Sequence, residues 1–178
     1  APGTWQPVAI KQMYGVLDRE PLALAQLERE ARICMALRHE NLVSVFDLDM
    51  VGGRPCLIME YVDGITLRDL MDDGAMSPPM LRAMLRDVLT GLDHAHQHGV
   101  LHRDISPRNI MITRNGVAKV MDFGLAKHLC ASSNHSGFAG TLAYASREAL
   151  ECQTRTRGSD IYSVGAVFYE ALTHAPPY

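Results

Sequence analysis

Asp104, Asn109 and Asp122 carry oxygen at intervals that invite chemistry. Asp104 and Asn109 lie five residues apart in His102-Arg103-Asp104-Ile105-Ser106-Pro107-Arg108-Asn109, and Asp122 opens Asp122-Phe123-Gly124. Asn109 leads into the apolar run Ile110-Met111-Ile112, which reaches Asn115-Gly116, a strong short hairpin signal. A second apolar run, Val117 to Met121, then delivers Asp122. The midpoint between Asn109 and Asp122 falls between Asn115 and Gly116, so a ribbon that goes out and folds back returns Asp122 beside Asn109. Hard oxygen ligands on so few residues suit a Mg²⁺ that keeps waters and shares phosphate oxygens.

As a joint pattern, His-Arg-Asp with Asn five residues after the Asp, followed by Asp-Phe-Gly, resembles the catalytic and magnesium loops of eukaryotic-like protein kinases. The resemblance covers essentially the whole chain. It implies a two-lobed α+β fold, with part of a small antiparallel-sheet N-lobe and its hinge in residues 1–62. Part of a mostly helical C-lobe follows in 63–178. No glycine-rich phosphate loop precedes Lys11, so the resemblance places the first two strands and the last helices outside this sequence, and a fragment lacking both is expected to transfer little phosphate.

The same resemblance assigns roles. Asp104 orients the acceptor hydroxyl and takes its proton; the transition state is loose, so alignment and charge neutralisation matter more than basicity. Asn109 and Asp122 hold Mg²⁺ against the phosphates of ATP. Lys11, in the β-prone run Val8-Ala9-Ile10-Lys11, binds the α- and β-phosphates, and Glu30 holds that lysine, with Glu28 the competing choice. Ala9 covers the adenine, Met111 floors it and Met59 closes the back of its pocket. The Glu60 carbonyl and the Val62 backbone bond its edge. Phe123 packs inward, Thr141 of Gly140-Thr141 bonds near Asp104, and Asp160 braces the backbone around His102 and Arg103. Arg103 receives a phosphate on the polar loop that carries Ser132, Ser133 and Ser136. Glu148 pairs with an arginine of a later helix.

The implied activity is ATP-dependent phosphoryl transfer to Ser/Thr hydroxyls of protein substrates, resembling bacterial members of the group. Two departures bear on it. Ser106 stands where Ser/Thr kinases usually place a lysine against the γ-phosphate, and a hydroxyl supplies no charge. Arg147 replaces the proline of the usual Ala-Pro-Glu in Tyr144-Ala145-Ser146-Arg147-Glu148. The rival readings are a pseudokinase or nucleotide-binding scaffold without transfer, and a small-molecule phosphotransferase.

Several elements must position these groups. A helical stretch from Leu22 to Leu37 sets Leu24, Leu27, Ala31, Cys34 and Leu37 on one face beside Glu30. Leu42–Leu48 and Pro55–Glu60 read as strands joined at Gly52-Gly53, and Thr66 caps a short helix through Met71. Ser77-Pro78 opens a helix to about His98, with Leu81, Met84, Leu85, Val88, Leu92 and Ala95 on its buried face and Gly99 at its stop. His94, His96 and His98 read as last-turn histidines suited to the helix dipole rather than as metal ligands. Asp160 begins a last buried helix through Val164, Val167, Phe168 and Leu172.

At 178 residues, 47% apolar and 21% charged, with net charge −3, the chain is an ordinary globular one and offers no basic footprint for nucleic acid. Cys34, Cys56, Cys130 and Cys152 form no Cys-x-x-Cys pair and point to a reducing compartment. No apolar run reaches the roughly 20 residues of a membrane span. The expected location is cytoplasmic, including as the cytosolic part of a longer, membrane-anchored protein.

Overall fold

A computed structural model describes residues 6–13, 21–74, 76–123, 142–151 and 153–177. Gly124, Cys130, Ser132, Ser133, Ser136, Gly140, Thr141 and Cys152 lie outside the described residues, so the expectations placed on them do too.

The first sheet has strand order β1-β3-β2, all antiparallel, built from β1 (Val8–Gln12), β2 (Val45–Val51) and β3 (Arg54–Glu60). Gly52 and Gly53 both adopt positive φ, +59° and +75°, the pairing that lets a two-residue turn follow the twist of its strands. β2 starts three residues later than the apolar pattern suggests. Leu42 instead bridges Val120, and the Val43 N–H donates to the Val120 carbonyl at 2.9 Å, so this stretch is tied to a different sheet. Helix α1 (Pro21–Ala36) lays Leu27, Ala31 and Cys34 in the core, with Leu37 just beyond its end.

The second sheet, order β4-β5-β6, joins β4 (Gly64–Thr66), β5 (Ile110–Thr113) and β6 (Ala118–Val120). Ile110 pairs with Val120 and Ile112 with Ala118, so the expected hairpin forms, turning through Gly116 at φ +80°. Helices make up the rest. Thr66 and Asp69 form a reciprocal capping box at the start of α2 (Leu67–Asp72). Helix α3 (Pro78–Gln97) buries Leu81, Met84, Val88, Leu92 and Ala95. A short α4 (Arg147–Leu150) precedes α5 (Arg157–Thr173). α5 starts before Asp160 because Thr156 and Ser159 cap it, and its inner face is Val164, Val167, Phe168 and Ala171. Leu172, expected on that face, is exposed.

Candidate active site

The segment 101–109 lies between α3 and β5 and is held by buried polar bonds rather than by regular structure. Asp160, 2% exposed, accepts the His102 N–H on Oδ2 and the Arg103 N–H on Oδ1, each at 2.8 Å. This is the bracing expected of it. The same Oδ2 lies 2.8 Å from Nε2 of the buried His96. His96 therefore faces inward; the clue was its place four residues after Leu92, on the apolar face of α3.

His102 is fully buried, and burial holds its pKa below the ordinary 6.5, with lesser opposition from the Met121 carbonyl and nearby carboxylates. The neutral ring fits both its contacts. Nε2 donates to the Met121 carbonyl at 2.8 Å, and Nδ1 accepts the Asp104 N–H at 3.2 Å. One imidazole thus ties the loop bearing Asp104 to the strand end that delivers Asp122. The Phe123 ring, itself buried, stacks obliquely on His102 with centroids 4.8 Å apart, so Phe123 packs inward.

Bonds to and between backbone groups link the segments that carry Asp104, Asn109 and Asp122. Asn109 Nδ2 donates to the Asp104 carbonyl at 2.8 Å, and the Met121 N–H donates to the Asn109 carbonyl at 2.9 Å. Asp122 follows Met121 at φ +62°, a left-handed backbone uncommon for a residue with a Cβ, and its Oδ1 meets Lys11 Nζ at 2.7 Å. Among the described residues the carboxylate paired with Lys11 is therefore that of Asp122, not the expected Glu30. Glu30 is half-buried on α1 while Glu28 is exposed, and the Glu30 charge is felt at Cys34 one turn on.

Of the residues expected around adenine, Ala9 and Met59 are neighbours. Ala9 lies directly across from Met59 in the β1–β3 register, and Met59 is buried. Met111 alternates with the buried Ile110 and Ile112, so it faces the opposite side of the ribbon. Glu60 and Val62 are half-buried at the end of β3 and just after it. The Glu60 side chain has a role of its own: Oε1 pairs with Lys119 Nζ at 2.8 Å, and Oε2 accepts the Ser44 N–H at 3.2 Å. Nothing in the sequence pattern singled out Lys119.

Beyond this centre, Ser106 is 7% exposed and Pro107–Asn109 forms a 3-10 turn, with the Asn109 N–H on the Ser106 carbonyl. Glu148 accepts a 2.6 Å hydrogen bond from the Ser159 hydroxyl, which lowers its pKa. The Tyr144 hydroxyl donates to Glu170 at 2.5 Å, and Arg68 bonds both, joining α2, α5 and the 142–146 segment. Burial and then Glu170 push the Tyr144 pKa up to about 12. His94 and His98 stack with centroids 4.5 Å apart, and Nδ1 of His98 bonds the His94 carbonyl. Among the described residues, no group of three or more His, Cys, Asp or Glu side chains is placed to hold a metal ion.

The backbone that carries Asp104 is thus locked to Asn109, the Asn109 backbone to the residue before Asp122, and the Asp122 carboxylate to the Lys11 ammonium of the first sheet. The fold is two-lobed, an antiparallel sheet with one helix followed by a mostly helical part. The protein kinase domain family matches residues 3–178, and the chain belongs to it. It is 40% identical over 96% of its length to serine/threonine-protein kinase PknB of Mycolicibacterium smegmatis. To the proteins of the same name in Mycobacterium leprae and, as a probable kinase, in Bifidobacterium longum it is 39% identical over 96%. The chain spans 29%, 29% and 27% of those three relatives' lengths.

Proposed function

We propose that the protein carrying this chain is a serine/threonine protein kinase that transfers the γ-phosphate of ATP, with Mg²⁺, to hydroxyls of protein substrates. The observation that carries this reading is the Asn109 Nδ2 bond to the Asp104 carbonyl, set beside the Lys11–Asp122 ion pair. Spending Nδ2 on that carbonyl leaves Asn109 with Oδ1, an acceptor, to offer a cation. Asp122 offers a second hard oxygen, so the donor set fits a Mg²⁺ that completes its shell with phosphate and water. When bound, Mg²⁺ would neutralise charge on the phosphates.

The chain's own residues do the remaining work. Asp104, fixed through its N–H by His102 and through its carbonyl by Asn109, orients the acceptor hydroxyl and takes its proton as transfer proceeds. Lys11 exchanges its hold on Asp122 for the α- and β-phosphates, and Glu30 on the inner side of α1 receives it. Ala9, Met59 and Met111 enclose the adenine, and the backbone at Glu60 and Val62 reads its edge. Residues 1–62 form the part of the N-lobe that carries the hinge, and 63–178 the part of the C-lobe. The names of the relatives support a Ser/Thr acceptor. Free buried thiols at Cys34 and Cys56 support a cytoplasmic location, including as the cytosolic part of a longer, membrane-anchored protein; among the described residues no helix is long and apolar enough to cross a membrane.

The test is to incubate the full-length protein with Mg-ATP and a mixed protein substrate beside its Asp104→Asn variant. Phosphate should appear on Ser and Thr and fall by about 10²-fold or more in the variant. Nucleotide binding without transfer would replace this reading with a scaffold, and phosphate on metabolites alone would replace it with a small-molecule phosphotransferase.

A further inference from the structure

Arg103, immediately before Asp104, holds φ at +67°, a left-handed conformation that a side-chain-bearing residue keeps only when its surroundings impose it. Its N–H is fixed by Asp160 Oδ1 at 2.8 Å. Its carbonyl accepts a 2.9 Å hydrogen bond from Nη1 of Arg155, a half-buried residue 52 positions on, just ahead of the Thr156 cap of α5. We infer that Arg155 is a positioning residue for phosphoryl transfer, clamping the Arg103 peptide from its carbonyl side so that Asp104 meets the acceptor hydroxyl in register.

The inference rests on the kinase reading of Asp104. Asp160 alone grips N–H groups and so sets the path of the chain into Arg103. The peptide between Arg103 and Asp104 is then held on its N–H side alone, by the 3.2 Å bond to His102, which leaves it freedom to tilt. A guanidinium on the Arg103 carbonyl removes that freedom, since the carbonyl oxygen and the Asp104 N–H belong to the same planar unit. A charged donor to a carbonyl is also stronger than a neutral one. Arg157, two residues on, makes a bond of the same kind, from Nη2 to the His96 carbonyl at 2.7 Å. It grips the end of α3 rather than the catalytic loop, which makes it the matched control.

The experiment compares full-length wild type with Arg155→Met, Arg155→Lys and Arg157→Met. Steady-state kinetics are read per nucleotide-binding molecule, and peptide-resolved amide exchange is read over residues 102–105. Arg155→Met should lower kcat about tenfold, leave KM for ATP within about twofold, and speed exchange in that segment. Arg155→Lys, which keeps one charged donor, should recover most of both effects, and Arg157→Met should reproduce neither. Unchanged exchange at 102–105 in Arg155→Met overturns the inference, as does a kcat loss that lysine does not restore or that Arg157→Met shares. Should wild type show no Asp104-dependent transfer, the kinase reading fails and the exchange measurement alone decides whether Arg155 holds the loop.

Discussion

Cys34 shows how far burial changes a side chain's chemistry. It lies on the core face of α1, 6% exposed, and desolvation, then the nearby Glu30 charge, pushes its thiol up to about 11. Since the thiolate is the nucleophile, this cysteine is expected to resist alkylation at pH 8 in the folded protein and to react at the rate of a free thiol in urea. Mass spectrometry of the peptide containing residue 34 reads the difference; rapid labelling under native conditions would contradict the burial. His102 carries the opposite lesson for a base. Its folded-state pKa lies below 6.5, so below that pH the unfolded chain binds a proton that the folded chain refuses. The neutral ring costs no stability above pH 6.5, and stability is lost as pH falls from there toward the folded value. Imidazole nitrogen shifts at pH 7 should show the neutral Nε2–H form. A ring that titrates near 6.5 would mean that the pocket admits the charged form.

At the scale of elements, the hairpin that sets Asn109 and Asp122 together was legible because Asn115-Gly116 and two short apolar runs specify it without outside help. The start of β2 was not. Leu42 and Val43 are as β-prone as the strand itself, and only the bonds from Val43 to Val120 and from Asn41 Nδ2 to the Ala118 carbonyl show that they serve the other sheet. β4 escaped notice for a similar reason, since three residues carry no period and Gly64 looks like a turn. Its register with Thr113 explains the glycine. A Cβ at residue 64 would lie 2.1 Å from the Ile112 carbonyl oxygen and 3.0 Å from the Thr113 Cα, both backbone atoms that cannot step aside cheaply. Gly64→Ala is therefore expected to destabilise the protein by about 1–3 kcal/mol or more, as overpacking does. A urea midpoint equal to that of wild type would show that the β4–β5 pairing yields.

Across the whole molecule, the sequence announced the groups proposed to be catalytic better than the contacts that bind the two sheets into one frame. Asp104, Asn109, Asp122 and Lys11 stand in recognisable strings, whereas Lys119 is one polar residue in a short strand whose partner lies 59 positions away. Pairing at such a distance follows from the assembled fold and leaves no local pattern. Glu60 gathers three segments at once: its own strand β3, the Ser44 N–H ahead of β2, and Lys119 on β6. The Lys119 and Glu60 side chains are 16% and 26% exposed, so the pair keeps much of its attraction where a surface pair would be screened. Because Glu60 also lies where adenine is proposed to bind, loosening it should be felt in nucleotide affinity. Lys119→Met and Glu60→Gln, alone and together, form a double-mutant cycle in urea unfolding, and a coupling of about 1 kcal/mol is expected that survives 0.5 M salt. Each single variant should also weaken ATP binding severalfold. Strictly additive losses, or a coupling that vanishes with salt, would reduce the pair to an ordinary surface contact and leave the joining of the sheets to the Lys11–Asp122 pair and the bonds of residues 41–43 to β6.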